Sequence, residues 1–147
     1  MPWSPIRLLI LIDDDQGWCG AIAGPMKALL EHRAFQVDLR RITEGPVDPA
    51  PYRGLIFGSP VYGLGLKGVG PTEALTQYVQ DLPPLDGKKA AVFCAYTLRP
   101  GLTLDRMKGL AIEKGCELVA AHAYNRLRPQ GEHIIPAECM VRIRGPG

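Results

Sequence analysis

Three consecutive carboxylates, Asp13, Asp14 and Asp15, directly follow an apolar run at residues 6–12. Clustered carboxylates suit a hard cation. Adjacent residues rarely turn all their side chains to one ion, so a solvated charge run is the favoured account of the triplet. His32, His122 and His133 are scattered, and His122 stands in an otherwise apolar stretch, as a sheet residue rather than a ligand. Cys19, Cys94, Cys116 and Cys139 form no CxxC pair, and their spacings fit neither a zinc site nor a compact disulfide framework. Cys94 and Cys116 read as reduced core residues. No side chain stands out as a general acid or base. Two further stretches combine tyrosine with glycine: Gly58 to Gly65, containing Tyr62, and Ala95 to Gly101, containing Tyr96. Such loops either build a flat apolar slot, with glycines where the chain must approach a ligand closely, or are plain surface turns.

A scaffold must bring these loops together. Residues 6–12 form a near-continuous apolar run, the pattern of a strand buried on both faces of a parallel sheet. Cys19, Ile22, Ala23, Met26, Leu29 and Leu30 follow helical spacing towards Arg33, and Pro25 within them implies a kink or a late start. Residues 35–42 alternate like an edge strand. A proline-rich loop leads to a second buried run at residues 54–58, and residues 59–70 read as a glycine-rich loop. Pro71 suits the first position of a helix reaching about Asp81. Residues 89–95 form a third buried strand, and Leu104, Met107, Leu110 and Ala111 mark a helix ending near Gly115. Residues 117–123 form the fifth strand. This alternation means an open α/β sheet of parallel strands. Prolines and glycines interrupt residues 126–147, an atypical C-terminal segment in which 137–144 can form a short helix.

With 147 residues, 46% hydrophobic and 22% charged, the chain has the composition of one globular domain. A core of that size buries roughly two-thirds of the unfolded surface without help from disulfides or metals. Lysine plus arginine (17) against aspartate plus glutamate (15) leaves +2, with the basic residues dispersed, which argues against a nucleic-acid partner. The run at 6–12 is too short to span a membrane, and it ends in aspartates rather than a small-residue cleavage site. A cytoplasmic chain without a membrane partner is expected. There is no internal repeat.

In a doubly wound sheet, ligands bind beyond the carboxyl ends of the strands at the switch point. The loops at 13–19, 58–65 and 95–101 leave those ends and form the candidate site. Two stretches here carry a resemblance. Residues 54–63, GLIFGSPVYG, resemble the third strand and following loop of the flavodoxin family, and residues 82–93, LPPLDGKKAAVF, resemble its approach to the fourth strand. The likeness runs through nearly the whole chain in element order and extends to quinone-reductase-type flavoproteins. It implies a five-stranded parallel sheet of order 2-1-3-4-5 with helices on both faces, and flavin mononucleotide (FMN) as cofactor. The first loop, Asp14, Asp15, Gln16, Gly17, Trp18 and Cys19, would cradle the phosphate. Ser59, Pro60, Val61, Tyr62 and Gly63, with Ala95, Tyr96, Thr97, Arg99 and Gly101, would hold the isoalloxazine ring, Tyr62 and Tyr96 being the stacking candidates. The implied function is electron transfer or reduction of a small acceptor, as a flavin-dependent oxidoreductase or carrier. A redox partner protein, a small acceptor and a second copy of the chain are the candidate partners.

The first loop departs from the family. Where the family's pattern Ser/Thr-x-Thr-Gly-x-Thr places hydroxyls, alignment on Gly17 puts Asp14, Gln16 and Cys19. A dianionic phosphate beside three carboxylates is repelled by several kcal/mol, against which the helix N-terminus offers amides and a dipole. Trp18 would either cover a ligand or pack on the sheet, with packing favoured. Arg99, Arg126 and Arg128 cluster in sequence near the carboxyl edge and either contact an anionic ligand or partner or are ordinary surface arginines. A flavodoxin-like module without flavin, serving in binding or assembly, is the alternative. An acidic first loop also suits a phosphoacceptor receiver domain or a haloacid dehalogenase-type phosphatase. The receiver requires an aspartate after the third strand and a lysine after the fifth, where Gly58-Ser59 and Asn125-Arg126 stand. The phosphatase requires a late acidic pair, and none follows residue 105.

Overall fold

The computed structural model describes residues 5–62, 71–128, 134–139 and 142–143. Five strands, β1 (Arg7–Ile12), β2 (Gln36–Arg41), β3 (Gly54–Pro60), β4 (Lys89–Tyr96) and β5 (Glu117–Asn125), form one parallel sheet in the order β2-β1-β3-β4-β5. The helices are α1 (Trp18–His32), α2 (Glu73–Asp81), α3 (Thr103–Glu113) and α4 (Ile134–Cys139). The architecture is the α/β sheet expected from the sequence, in the expected order.

The alternation of each central strand divides the core into two layers. Leu8, Ile10 and Ile12 turn to one face, under α1 and the α4 residues Ile135 and Cys139. Leu9 and Leu11 turn to the other, under Leu75 and Val79 of α2 and Met107, Leu110 and Ala111 of α3. Burial on both sides is why Leu8–Ile12 of β1 and Leu55–Phe57 of β3 are unbroken apolar runs rather than alternating ones.

Several boundaries differ from the sequence reading, each for a physical reason. β3 runs on through Ser59 and Pro60, which pair with Cys94 and Ala95, so these residues belong to a strand and not to a loop. Pro60 is tolerated because it stands at the last position, where a missing amide costs little of the ladder. β4 reaches Tyr96 and β5 reaches Asn125, and Arg126 N–H extends their pairing by donating to the Tyr96 carbonyl at 2.8 Å. Pro71 is not the first residue of α2. Thr72 caps that helix, its hydroxyl accepting from Leu75 N–H at 3.2 Å, a bond that proline cannot supply. α1 starts early, at Trp18, and continues past Pro25. α4 begins at Ile134, three residues before the helix expected there. Among the described residues no helix is long and apolar enough to cross a membrane.

Gly58 in β3 has a packing role. A Cβ there would stand 2.2 Å from Cζ of Phe93, its register partner on β4. The glycine therefore makes room for a buried aromatic ring.

Candidate functional site

The carboxyl ends of β1, β3 and β4 are tied together by the backbone. Asp13 N–H donates to the Gly58 carbonyl at 3.1 Å, and Val61 N–H donates to the Ala95 carbonyl at 2.8 Å. The three expected loops thus leave one edge of the sheet side by side.

The aspartates that open the first loop separate. Asp13 is buried and accepts a short bond from the Thr72 hydroxyl, while Thr72 N–H donates to Ser59 Oγ at 3.0 Å. Asp14 Oδ1 accepts from Gly20 N–H at 2.8 Å, in the first turn of α1, and its Oδ2 pairs with Arg41 Nε at 3.2 Å. The Asp14 side chain is only 6% exposed. Asp15 is exposed and accepts from the Tyr62 hydroxyl at 3.2 Å and from Gln16 Nε2 at 3.4 Å. The triplet is therefore not a solvated charge run. Two of its carboxylates are withdrawn from water into polar contacts made by distant parts of the chain. Among the described residues no group of three or more His, Cys, Asp or Glu is placed to hold a metal ion.

Trp18, Tyr62, Thr97 and Arg126 form a continuous ledge from the first loop to the third. The Trp18 and Tyr62 rings meet edge-on, with centroids 5.7 Å apart. The Arg126 guanidinium lies over the Trp18 ring, 4.2 Å from its centroid, and Arg126 Nε donates to Thr97 Oγ1 at 2.8 Å. Trp18 also packs against the core beneath α1. Tyr62 is 43% exposed, and its hydroxyl is pushed up to about 12 by partial burial and by the neighbouring Asp15 carboxylate. It remains a protonated donor across the working pH range.

The other expected residues scatter in role. Cys19 is fully buried, its thiol held well above the usual range by burial and then by Asp14 and Asp13, so it faces the core as a neutral group. Ser59, Val61 and Ala95 are buried, Ala95 in the core layer under α1 and Val61 in the layer under α2 and α3. Tyr96 is half-buried against the opposite core layer, the one under α2 and α3, rather than joined to Tyr62. Gly17, Arg99 and Gly101 are exposed. Gly63 and Gly65 lie outside the described residues. Leu98, Leu102 and Leu127 are exposed near the third loop. Sequence reasoning missed Thr72 and Arg41 as partners of the aspartates. Nothing local signals them, since they lie 59 and 27 residues from the groups they touch.

A recess of about 450 Å³ opens beside the first loop, with Asp13, Asp14, Asp15, Arg41, Thr72 and Tyr62 on its walls. A second, of about 380 Å³, lies between Ile42, Val47, Tyr78 and Leu82.

Comparison with known proteins gives the fold its name. No protein-family model matches the chain, and no curated protein matches it in sequence. Solved structures do match. The two-electron reduced flavodoxin of Megasphaera elsdenii superimposes with a TM-score of 0.77 at 21% identity, over 91% of this chain and 99% of that one. Oxidised flavodoxin 1 of Bacillus cereus gives 0.72 at 19% identity, over 92% and 98%. A Fusobacterium nucleatum flavodoxin bound to flavin mononucleotide gives 0.60 at 13% identity, over 77% and 68%. The chain has the flavodoxin-like fold.

The residues fit the two ends of FMN unequally. The aromatic ledge of Trp18 and Tyr62 offers a flat ring an aromatic surface at the strand ends. The place for a phosphate suits one poorly, because the Asp14 carboxylate already stands at the start of α1, accepting from Gly20 N–H there.

Proposed function

We propose that this chain binds a flavin ring at the carboxyl edge of its sheet and carries electrons to a redox partner protein or a small acceptor. The observation that carries the reading is the Trp18–Tyr62 ledge, which lies where this fold takes its ligands, on a chain whose structural neighbours are flavodoxins. A bound flavin supplies the electron-accepting chemistry, and the protein contributes position and electrostatics. Tyr62 offers its ring, and its orientation is held by the bond to Asp15. Arg126 is fixed by Thr97 and Trp18 and sets a positive charge beside the ledge, a feature that favours an anionic reduced ring. Asp13 and Asp15 oppose it. The chemistry of this reading is electron transfer, and it assigns no acid–base step to the ledge.

The filled phosphate position favours a second reading, a flavodoxin-like module that binds no flavin and serves in assembly. Titration separates the two. Quenching of tryptophan and flavin fluorescence with one-to-one saturation supports flavin binding. Absence of quenching by either FMN or riboflavin refutes it.

A further inference from the structure

Helix N-termini bind phosphates through free amides and a favourable dipole. At α1 the chain supplies its own anion. Gly17, in a left-handed conformation with φ of 79°, turns the loop back over the helix start, and its N–H donates to the Asp14 carbonyl at 3.2 Å. The Asp14 carboxylate then reaches Gly20 N–H at 2.8 Å and Arg41 Nε at 3.2 Å, almost out of solvent. Gly20 is what admits it, since a Cβ there would stand 2.5 Å from Asp14 Oδ2. Arg41, a cation on the wall of the adjoining recess, is paired with Asp14 through Nε, so part of its charge is already answered by the chain's own carboxylate.

We infer that Asp14 is a built-in anion standing where a ligand's phosphate would bind, and that the flavin this chain takes is therefore unphosphorylated: riboflavin rather than FMN. The inference rests on the flavin reading above and specifies the ligand of that site. The remaining carboxylates agree with it. Asp13 and Asp15 each already accept a bond from a hydroxyl, that of Thr72 and that of Tyr62. Carboxylates of this kind accept bonds from the hydroxyls of a ribityl chain and repel a dianion.

The test titrates riboflavin and FMN with the purified chain in phosphate-free buffer, following flavin fluorescence, for wild type and Asp14→Ser. Riboflavin should bind wild type at least about tenfold more tightly than FMN, a difference of about 1.4 kcal/mol. Asp14→Ser should tighten FMN by about tenfold or more and leave riboflavin nearly unchanged. In parallel, inorganic phosphate should leave the melting temperature of wild type unmoved and raise that of Asp14→Ser. Asp14→Asn, which keeps an acceptor for Gly20 and loses the charge, replaces the serine variant if that one does not fold. FMN binding wild type as tightly as riboflavin, or phosphate stabilising wild type, overturns the inference and leaves the flavin reading standing. If neither flavin binds, the flavin reading and the choice of riboflavin fall together. The phosphate arm then still decides the role of Asp14.

Discussion

Gly58→Ala tests whether the glycine-rich character of the second loop serves the ligand or the core. The added Cβ would stand 2.2, 2.6 and 2.7 Å from three ring atoms of Phe93. Carbon atoms settle at about 3.5–4.0 Å, so the ring must move by about 1 Å. Phe93 has little freedom to do so. It is fully buried and meets Tyr124 edge-on, with centroids 5.9 Å apart. Overpacking of this kind costs about 1–3 kcal/mol. For a chain of this length each kcal/mol lowers the melting temperature by about 2–4 °C, so a fall of about 2–12 °C is expected. Thermal and urea melts of Gly58→Ala, Phe93→Leu and the double variant measure it. The double variant should recover much of the loss, with a coupling of about 1–2 kcal/mol, because the smaller side chain vacates the contested space. Flavin affinity should not change. A variant that melts like wild type but no longer binds flavin would refute the packing role and return Gly58 to the ligand.

Other consequences are local and separable. Thr72→Ala removes the cap of α2 and the donor to buried Asp13, and should cost about 1–3 kcal/mol in urea unfolding, largely restored by Thr72→Ser. Asp38 is held below its ordinary value of 3.8 first by the Tyr52 hydroxyl at 2.5 Å and then by Arg7. A carboxyl more acidic in the folded state contributes fully above its unfolded value, and the contribution fades as the pH falls through the folded one. Asp38→Asn should therefore be less stable than wild type at neutral pH, with the gap closing as the pH drops below 3.8. All four cysteines are buried, with thiols pushed up by burial: Cys94 and Cys139 to about 12, Cys116 to about 11, and Cys19 well above its usual range. Ellman's reagent should leave the native chain nearly unlabelled and label all four after denaturation.

The sheet was legible because a parallel strand buried on both faces has an unbroken apolar signature, which residues 8–12 and 90–95 display. Strand ends were not. Ser59 and Pro60 have loop composition, and only their pairing with Cys94 and Ala95 holds them in β3. Gly58 shows the same limit, because whether a glycine serves a ligand or a neighbouring ring depends on a residue 35 positions away in another strand. The three loops of the site could be located from the element order. The directions of Asp13 and Asp14 could not, since they are set by Thr72 and Arg41 across the fold. Tyr62 and Tyr96 looked equivalent in sequence. The sheet separates them, Tyr62 against Trp18 and Tyr96 against the opposite core layer.

The most direct measurement is an amide-resolved NMR titration of the chain with riboflavin. The account predicts that the signals of Trp18, Tyr62, Thr97 and Arg126 shift together and saturate at one equivalent, while those of Tyr78 and Leu82 at the second recess stay in place. Shifts confined to that second recess, or none at saturating flavin, would contradict it.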